Sequence, residues 1–189
     1  MKWTYTLIAC CVLLLGINIA LIRQNRALKV QLSGPPAGLE VEPGARVPDL
    51  KGFDINGKPL SIDYQQDHRK VLVLVFSPTC RFCVENWPKW WELVATLDRG
   101  AVRPVGVDIT SSASTAFLAE HRMSDMPVIL QVDPKSRVDY RFQITPQTIV
   151  VNGSGKVEKA WSGVLDDTAV AEIERFASGN KTVSENSRQ

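Results

Sequence analysis

The sequence predicts an α/β domain on one mixed sheet flanked by helices, preceded by a hairpin and, before that, by one apolar helix. Three observations carry this reading. Val71 to Phe76 is an unbroken apolar run rich in β-branched residues, the pattern of a strand buried on both faces. Val102 to Val107 repeats that pattern after a helical stretch, so the two runs read as parallel strands joined by a right-handed crossover. Thr148 to Val151, the turn Asn152-Gly153-Ser154-Gly155 and Lys156 to Trp161 read as a hairpin leading into a last helix. The order hairpin, βαβ, ββα specifies one mixed sheet covered by helices.

From Trp3 to Ile22 the chain is apolar except at Thr4, Thr6 and Asn18, just long enough at helical rise to cross a hydrocarbon core. Residues 1–22 therefore read as a transmembrane anchor. A cleaved signal peptide would have a shorter apolar region ending in small residues, whereas Ala20, Leu21 and Ile22 run straight into Arg23. Leu7-Ile8-Ala9-Cys10 has the look of a lipoprotein box, but the apolar run continues past it, so Cys10 and Cys11 read as apolar filler. Residues 23–40 read as a juxtamembrane helix to about Leu32 and then a Gly/Pro linker, Ser33-Gly34-Pro35-Pro36-Ala37-Gly38. The globular domain spans 41–177, and 178–189 read as a disordered polar tail.

Within the domain, Lys51 to Ile62 brackets Asn56-Gly57, a tight-turn signal that makes the segment a hairpin. Helices are expected over Val84 to Leu97, Ser112 to His121 and from Asp166 or Asp167 to about Phe176, with a short strand over Val128 to Val132. Asp108 reads as a strand-end cap. Trp87, Trp90 and Trp91 read as core and helix packing around Pro88.

The chain of 189 residues is 44% hydrophobic with a formal net charge of +2, and its 22 basic and 20 acidic residues are interspersed. No basic stripe offers a footprint for nucleic acid. Of four cysteines only Cys80 and Cys83 lie in the domain, and so close a pair closes almost no loop. Chemistry explains them better than stapling does. Ser77-Pro78-Thr79-Cys80-Arg81-Phe82-Cys83 puts C-x-x-C between a buried strand and a helix, with Cys80 on the helix N-terminus. Unpaired N–H groups, the helix dipole and Arg81 favour a thiolate there, making Cys80 the nucleophile and Cys83 the resolving thiol. A zinc site needs two further ligands, and the chain offers only His68 and His121, which read as surface or helix-face decoration. A copper carrier using the thiol pair and one distant histidine stays open as the non-enzymatic alternative.

These residues resemble the thioredoxin superfamily, in particular the envelope thioredoxin-like proteins of the TlpA, ResA and MauD kind with a redoxin (AhpC/TSA-type) domain. Three motifs carry the resemblance over roughly Val41 to Phe176: Phe76 to Cys83 followed by Pro88; Thr145-Pro146 ahead of a strand, similar to the family's cis-proline; and Gly44 to Leu50 with Asn56 to Ser61, similar to the redoxin N-terminal extension. The resemblance implies a thioredoxin fold with an N-terminal hairpin extension and a central insertion. It implies a thiol–disulfide oxidoreductase with no cofactor beyond a redox-active Cys80–Cys83 disulfide, the site being shaped by Thr145, Pro146, Arg81 and Phe82. Its partners would be a cysteine-containing envelope protein, as in cytochrome, metalloprotein or quinoprotein maturation, and an upstream membrane dithiol donor. The domain would face the periplasm from the bacterial inner membrane. The charge rule points the other way, since Lys2 precedes the span while Arg23, Arg26 and Lys29 follow it. Thioredoxin's acidic residue six positions before the first cysteine is Leu74 here, so no buried proton acceptor is evident. A peroxiredoxin-like peroxidase is a second alternative, but its P-x-x-x-T-x-x-C pattern would place proline and threonine where Val73 and Ser77 stand.

Overall fold

The apolar run around Val73 becomes β3 (Lys70–Phe76), the middle strand of a five-stranded sheet, in a computed structural model that describes residues 2–32 and 38–177. β3 pairs in parallel with β4 (Val102–Asp108) and antiparallel with β6 (Gln147–Val151). β5 (Val128–Ile129) and β7 (Val157–Ser162) complete the order β5-β4-β3-β6-β7. Both faces of β3 are covered, which is why its pattern is continuous rather than alternating. Val71, Val73 and Val75 pack with Leu50, Ile62, Tyr64 and Phe142, while Leu72, Leu74 and Phe76 pack with Cys83, Trp87, Trp90 and Leu93.

The second group belongs to α2 (Arg81–Thr96), whose buried residues Cys83, Asn86, Trp87, Trp90 and Leu93 recur at helical spacing on one face. The indole N–H of Trp90 donates to Thr148 Oγ1 at 2.9 Å, so the polar atom of the largest core side chain is satisfied. Pro88 sits inside the helix on its exposed side, where its lost N–H and ring favour a bend.

The expected N-terminal hairpin is β1 (Leu50–Phe53) with β2 (Pro59–Ile62), a separate two-stranded sheet. Asp54 Oδ1 accepts the N–H groups of Asn56 and Lys58, and Gly57 takes a φ of +73° at the turn. The hairpin leans on the segment after β5 through Phe53 N–H to the Gln131 carbonyl and Leu130 N–H to the Phe53 carbonyl. A Cβ at Gly52 would stand 2.3 Å from that Gln131 oxygen, so only glycine permits the approach.

Between β4 and β6 the sequence reading needs correction. α3 is only Thr115–Glu120, because the carboxylate of Asp108 accepts the N–H groups of Thr110, Ser112 and Ala113 and holds 110–113 out of helical geometry. Ser114 then caps the helix. β5 stops at Ile129, since the next backbone groups bond to β1 instead of β4. A short helix that the pattern did not suggest, α4 (Pro134–Asp139), follows; Asp133 caps it and Pro134 opens it. α5 (Asp167–Ala177) starts where Asp166 Oδ1 accepts the Ala169 N–H and buries Ile173 and Ala177.

The chain divides into two units, residues 1–35 and 36–189. In the first, α1 (Lys2–Leu32) is one helix of 31 residues, about 46 Å long at helical rise. The anchor expected at 1–22 falls within this helix; among the described residues no helix is long and apolar enough to cross a membrane. The side chains at 4, 6–10 and 12, on which much of that expectation rests, lie outside the described residues, as do the linker at 33–37 and the tail at 178–189.

Leu74 is 1% exposed at the contact between β3 and α2. Leu74→Ala is expected to cost about 2–5 kcal/mol, measured as a lower denaturation midpoint in guanidinium.

Candidate active site

β3 ends at Phe76, and Ser77-Pro78-Thr79 carries the chain to Cys80, which is the N-cap of α2 with an extended backbone (φ −82°, ψ 110°). The Cys80 N–H donates to the Ser77 carbonyl at 3.1 Å, and the Cys83 N–H lies 3.3 Å from Cys80 Sγ. The first cysteine therefore occupies the place where a serine or aspartate would cap, with its sulfur receiving an orphan helix N–H. Cys80 is half-buried, whereas Cys83, one turn inside, is buried, and both are free thiols.

Burial raises the Cys80 thiol, but it is outweighed by hydrogen bonds from the Cys83 thiol, the Thr145 side chain and the N–H groups of Cys83 and Phe82, leaving it below the ordinary cysteine value. Burial, then the hydrogen bond to Cys80 and the charge there, pushes the Cys83 thiol up to about 12. Two like sulfurs are thus separated into one that ionises readily and one that holds its proton. The charge of Arg81 is not what lowers Cys80. Its guanidinium carbon lies 5.4 Å from the ring centroid of Phe82, and both side chains are exposed at the rim.

Thr145 and Pro146, distant in sequence, arrive opposite the pair. The Thr145–Pro146 peptide is cis, Pro146 is buried, and Cys80 Sγ lies 3.4 Å from the Thr145 carbonyl oxygen. Cys80, Cys83, Thr145 and Phe82 are therefore brought to one place.

The loop before Cys80 is held from behind by a hydroxyl chain. Asp108 is fully buried and accepts Thr110 Oγ1–H at 2.6 Å; Thr110 Oγ1 is 3.3 Å from Ser77 Oγ, which is 3.1 Å from Thr79 Oγ1. Asp108 is thus the expected strand-end cap, and Leu74 is buried apolar core. Sequence reasoning missed Ser77, Thr110 and Asn86. The available signal for Asn86 was an amide three residues past Cys83, on the apolar face of the helix. His121 stands half-buried at the end of α3, the helix-face position rather than the open surface. Its ring stacks on Phe117 at 4.0 Å and lies 4.6 Å from Trp87. Trp87 and Trp90 are buried, and Trp91 is half-buried, lining an apolar cavity of about 150 Å³ that the cysteines do not reach. Among the described residues no three His, Cys, Asp or Glu side chains gather as a metal site.

Solved structures share this fold. A thiol:disulfide interchange protein from Bacteroides sp. matches with a TM-score of 0.58 at 19% identity, covering 79% of this chain and 99% of that one. A thiol:disulfide interchange protein of the thioredoxin family from Chlorobium tepidum TLS matches at 0.55 and 19%, covering 73% and 99%. A secreted Mycobacterium tuberculosis disulfide oxidoreductase matches at 0.53 and 15%, covering 68% and 93%. At these identities they show the fold, which is thioredoxin-like. No curated protein matches the chain. The family is shown by sequence: the AhpC/TSA family model matches residues 43–160, more than half of the 189, and places the chain in the AhpC/TSA family.

Proposed function

We propose that the chain is a thiol–disulfide oxidoreductase that reduces disulfides of other proteins through Cys80 and Cys83. One observation carries this: the half-buried sulfur of Cys80 stands at the helix N-terminus and receives the Cys83 N–H, while the sulfur of Cys83 one turn later is buried. The Cys80 thiolate attacks one sulfur of a target disulfide, the target S–S bond breaks, and the other target sulfur leaves as a thiolate and takes up a proton. A mixed disulfide to Cys80 results. Cys83 then loses its proton and attacks Cys80 Sγ, releasing the second target sulfur as a thiol. The target gains two electrons and two protons, and the enzyme is left with a Cys80–Cys83 disulfide. A membrane dithiol donor returns the pair to the reduced state.

Ionisation favours the first step in this order. Burial, the largest cause of the raised Cys83 thiol, persists in the mixed disulfide, but the hydrogen bond and the negative charge of Cys80 are gone, so Cys83 gives up its proton more readily. Thr145 and Pro146 face the attacking sulfur, and Phe82 with Arg81 forms the exposed rim that a partner meets first. The neighbours named as thiol:disulfide interchange proteins and the secreted disulfide oxidoreductase support protein disulfides as the substrate class and a place outside the cytoplasm. Cysteines of envelope proteins on the way to cytochrome, metal or quinoprotein assembly fit that place. In this reading the helix over residues 2–32 anchors the domain to the inner membrane with the catalytic unit on the periplasmic side.

Cys83→Ser is expected to accumulate a reductant-sensitive covalent complex with its partner on non-reducing gels, and Cys80→Ser to accumulate none; no complex from either, with stoichiometric copper on the reduced chain, would favour the metal carrier. With the pair reduced, a brief iodoacetamide pulse at mildly acidic pH is expected to label Cys80 before Cys83, the fraction rising with pH as the Cys80 thiolate forms, as read by peptide mass spectrometry. Protease added to intact spheroplasts is expected to degrade the domain. Protection until lysis would place it in the cytoplasm, as the charge rule has it.

A further inference from the structure

Three segments far apart in sequence, α2, the Thr145–Pro146 backbone and the turn at 163–165, are joined in a circuit of hydrogen bonds and backbone that runs through one side chain. Cys80 Sγ meets the Thr145 carbonyl at 3.4 Å. The carbonyl of Pro146 accepts the Gly163 N–H at 2.9 Å. The carbonyl of Gly163 in turn accepts Nδ2–H of Asn86 at 3.2 Å, and Asn86 lies on α2 one turn past Cys83, which closes the circuit. Oδ1 of Asn86 accepts the Leu165 N–H at 2.8 Å, so the amide grips the turn on both sides of Val164. Val164 is left 40% exposed at the tip while Asn86 is fully buried. Lys89, a further turn along, donates to the Leu165 carbonyl at 2.6 Å from the rim of the same contact.

We propose that Asn86 is a positioning residue for exchange with protein disulfides. It fixes Val164 and the Thr145–Pro146 backbone relative to Cys80, so that a polypeptide lying between them presents its disulfide in line with the attacking sulfur. This rests on the exchange reading above and adds to it the residue that assembles the groove. The chemistry demands an amide. One neutral group must donate to a carbonyl and accept from an N–H at the same time, which asparagine does and a carboxylate cannot. An alanine leaves the buried Leu165 N–H and the half-buried Gly163 carbonyl without this partner, and a carboxylate turns an acceptor toward the Gly163 oxygen.

The test mixes the reduced full chain in single turnover with two oxidants, dithiodipyridine, which is too small to need the groove, and insulin, which must dock. Asn86→Ala is expected to stay within about twofold of wild type on dithiodipyridine and to fall about tenfold or more on insulin, the loss showing in the limiting rate as well as in the half-saturating insulin concentration. Asn86→Asp is expected to show the same split at high pH. Relative to wild type at each pH it recovers on acidification, because a protonated carboxyl again offers one donor and one acceptor. That comparison is made within a single folded chain, so it stands even where the alanine variant does not fold. Equal slowing on both oxidants, or insulin rates unchanged in both variants, overturns the positioning role. Failure of the wild-type chain to react with dithiodipyridine at all would instead sink the exchange reading.

Discussion

Leu72, Leu74 and Phe76 on one face of β3 pack against Cys83, Trp87, Trp90 and Leu93 of α2, and this strand-to-helix contact decides where both sulfurs stand. The helix cannot roll without breaking it. With that face fixed, the residue before the first turn must project at the helix end and the residue three positions later must point into the core. Cys80 and Cys83 differ in burial for that reason alone, and their different ionisation follows from the difference in burial and in received hydrogen bonds. The remaining parts of the fold serve to cover the other side of β3 or to bring backbone to the exposed sulfur. The hairpin, Tyr64 and Phe142 do the first; the segment entering β6 does the second.

The electrostatics are local. A charged neighbour one residue away was the obvious source of thiolate stabilisation, yet the side chain of Arg81 lies over an exposed ring beside water, where its field is screened. Hydrogen bonds to the sulfur, from the Cys83 thiol and Thr145 first and from the N–H groups of Cys83 and Phe82 after them, act at contact distance in a partly desolvated place, so they prevail. These partners are placed by the helix start and by the segment entering β6, which makes the thiolate dependent on the packing beneath more than on the charge at 81.

The sequence made the fold class legible because its strongest signals are local and periodic. The apolar run at Val71 to Phe76, the Asn-Gly turns and the C-x-x-C between strand and helix each carry their own physical cause within a few residues. What escaped was set by contacts between distant residues. The start of α3 moved because a buried carboxylate at the end of β4 captured two of the backbone N–H groups a helix would have started from. The shortness of β5 reflects its backbone turning to the N-terminal hairpin. Asp133-Pro134 did advertise α4, but a helix of six residues has too little periodicity to stand out. At the site, the cysteine pair was readable from its spacing between strand and helix, and the Thr145-Pro146 element from the family resemblance. Asn86 and Ser77 were not, since a polar residue inside an apolar face declares its role only when its partners are known.

The chain of hydroxyls from Asp108 through Thr110 and Ser77 to Thr79 ties the residues before Cys80 to the end of a central strand, while those after it are already in the helix. Backbone on both sides of the reactive sulfur is therefore anchored. Gaining or losing the bond to Cys83 is left to rotation of side chains, a change of a few torsions with little reshaping of the surface. In the reduced pair the half-buried sulfur is a thiol held below the ordinary cysteine value; joined to Cys83 it has no proton to lose, so the two forms differ in ionisation at one atom.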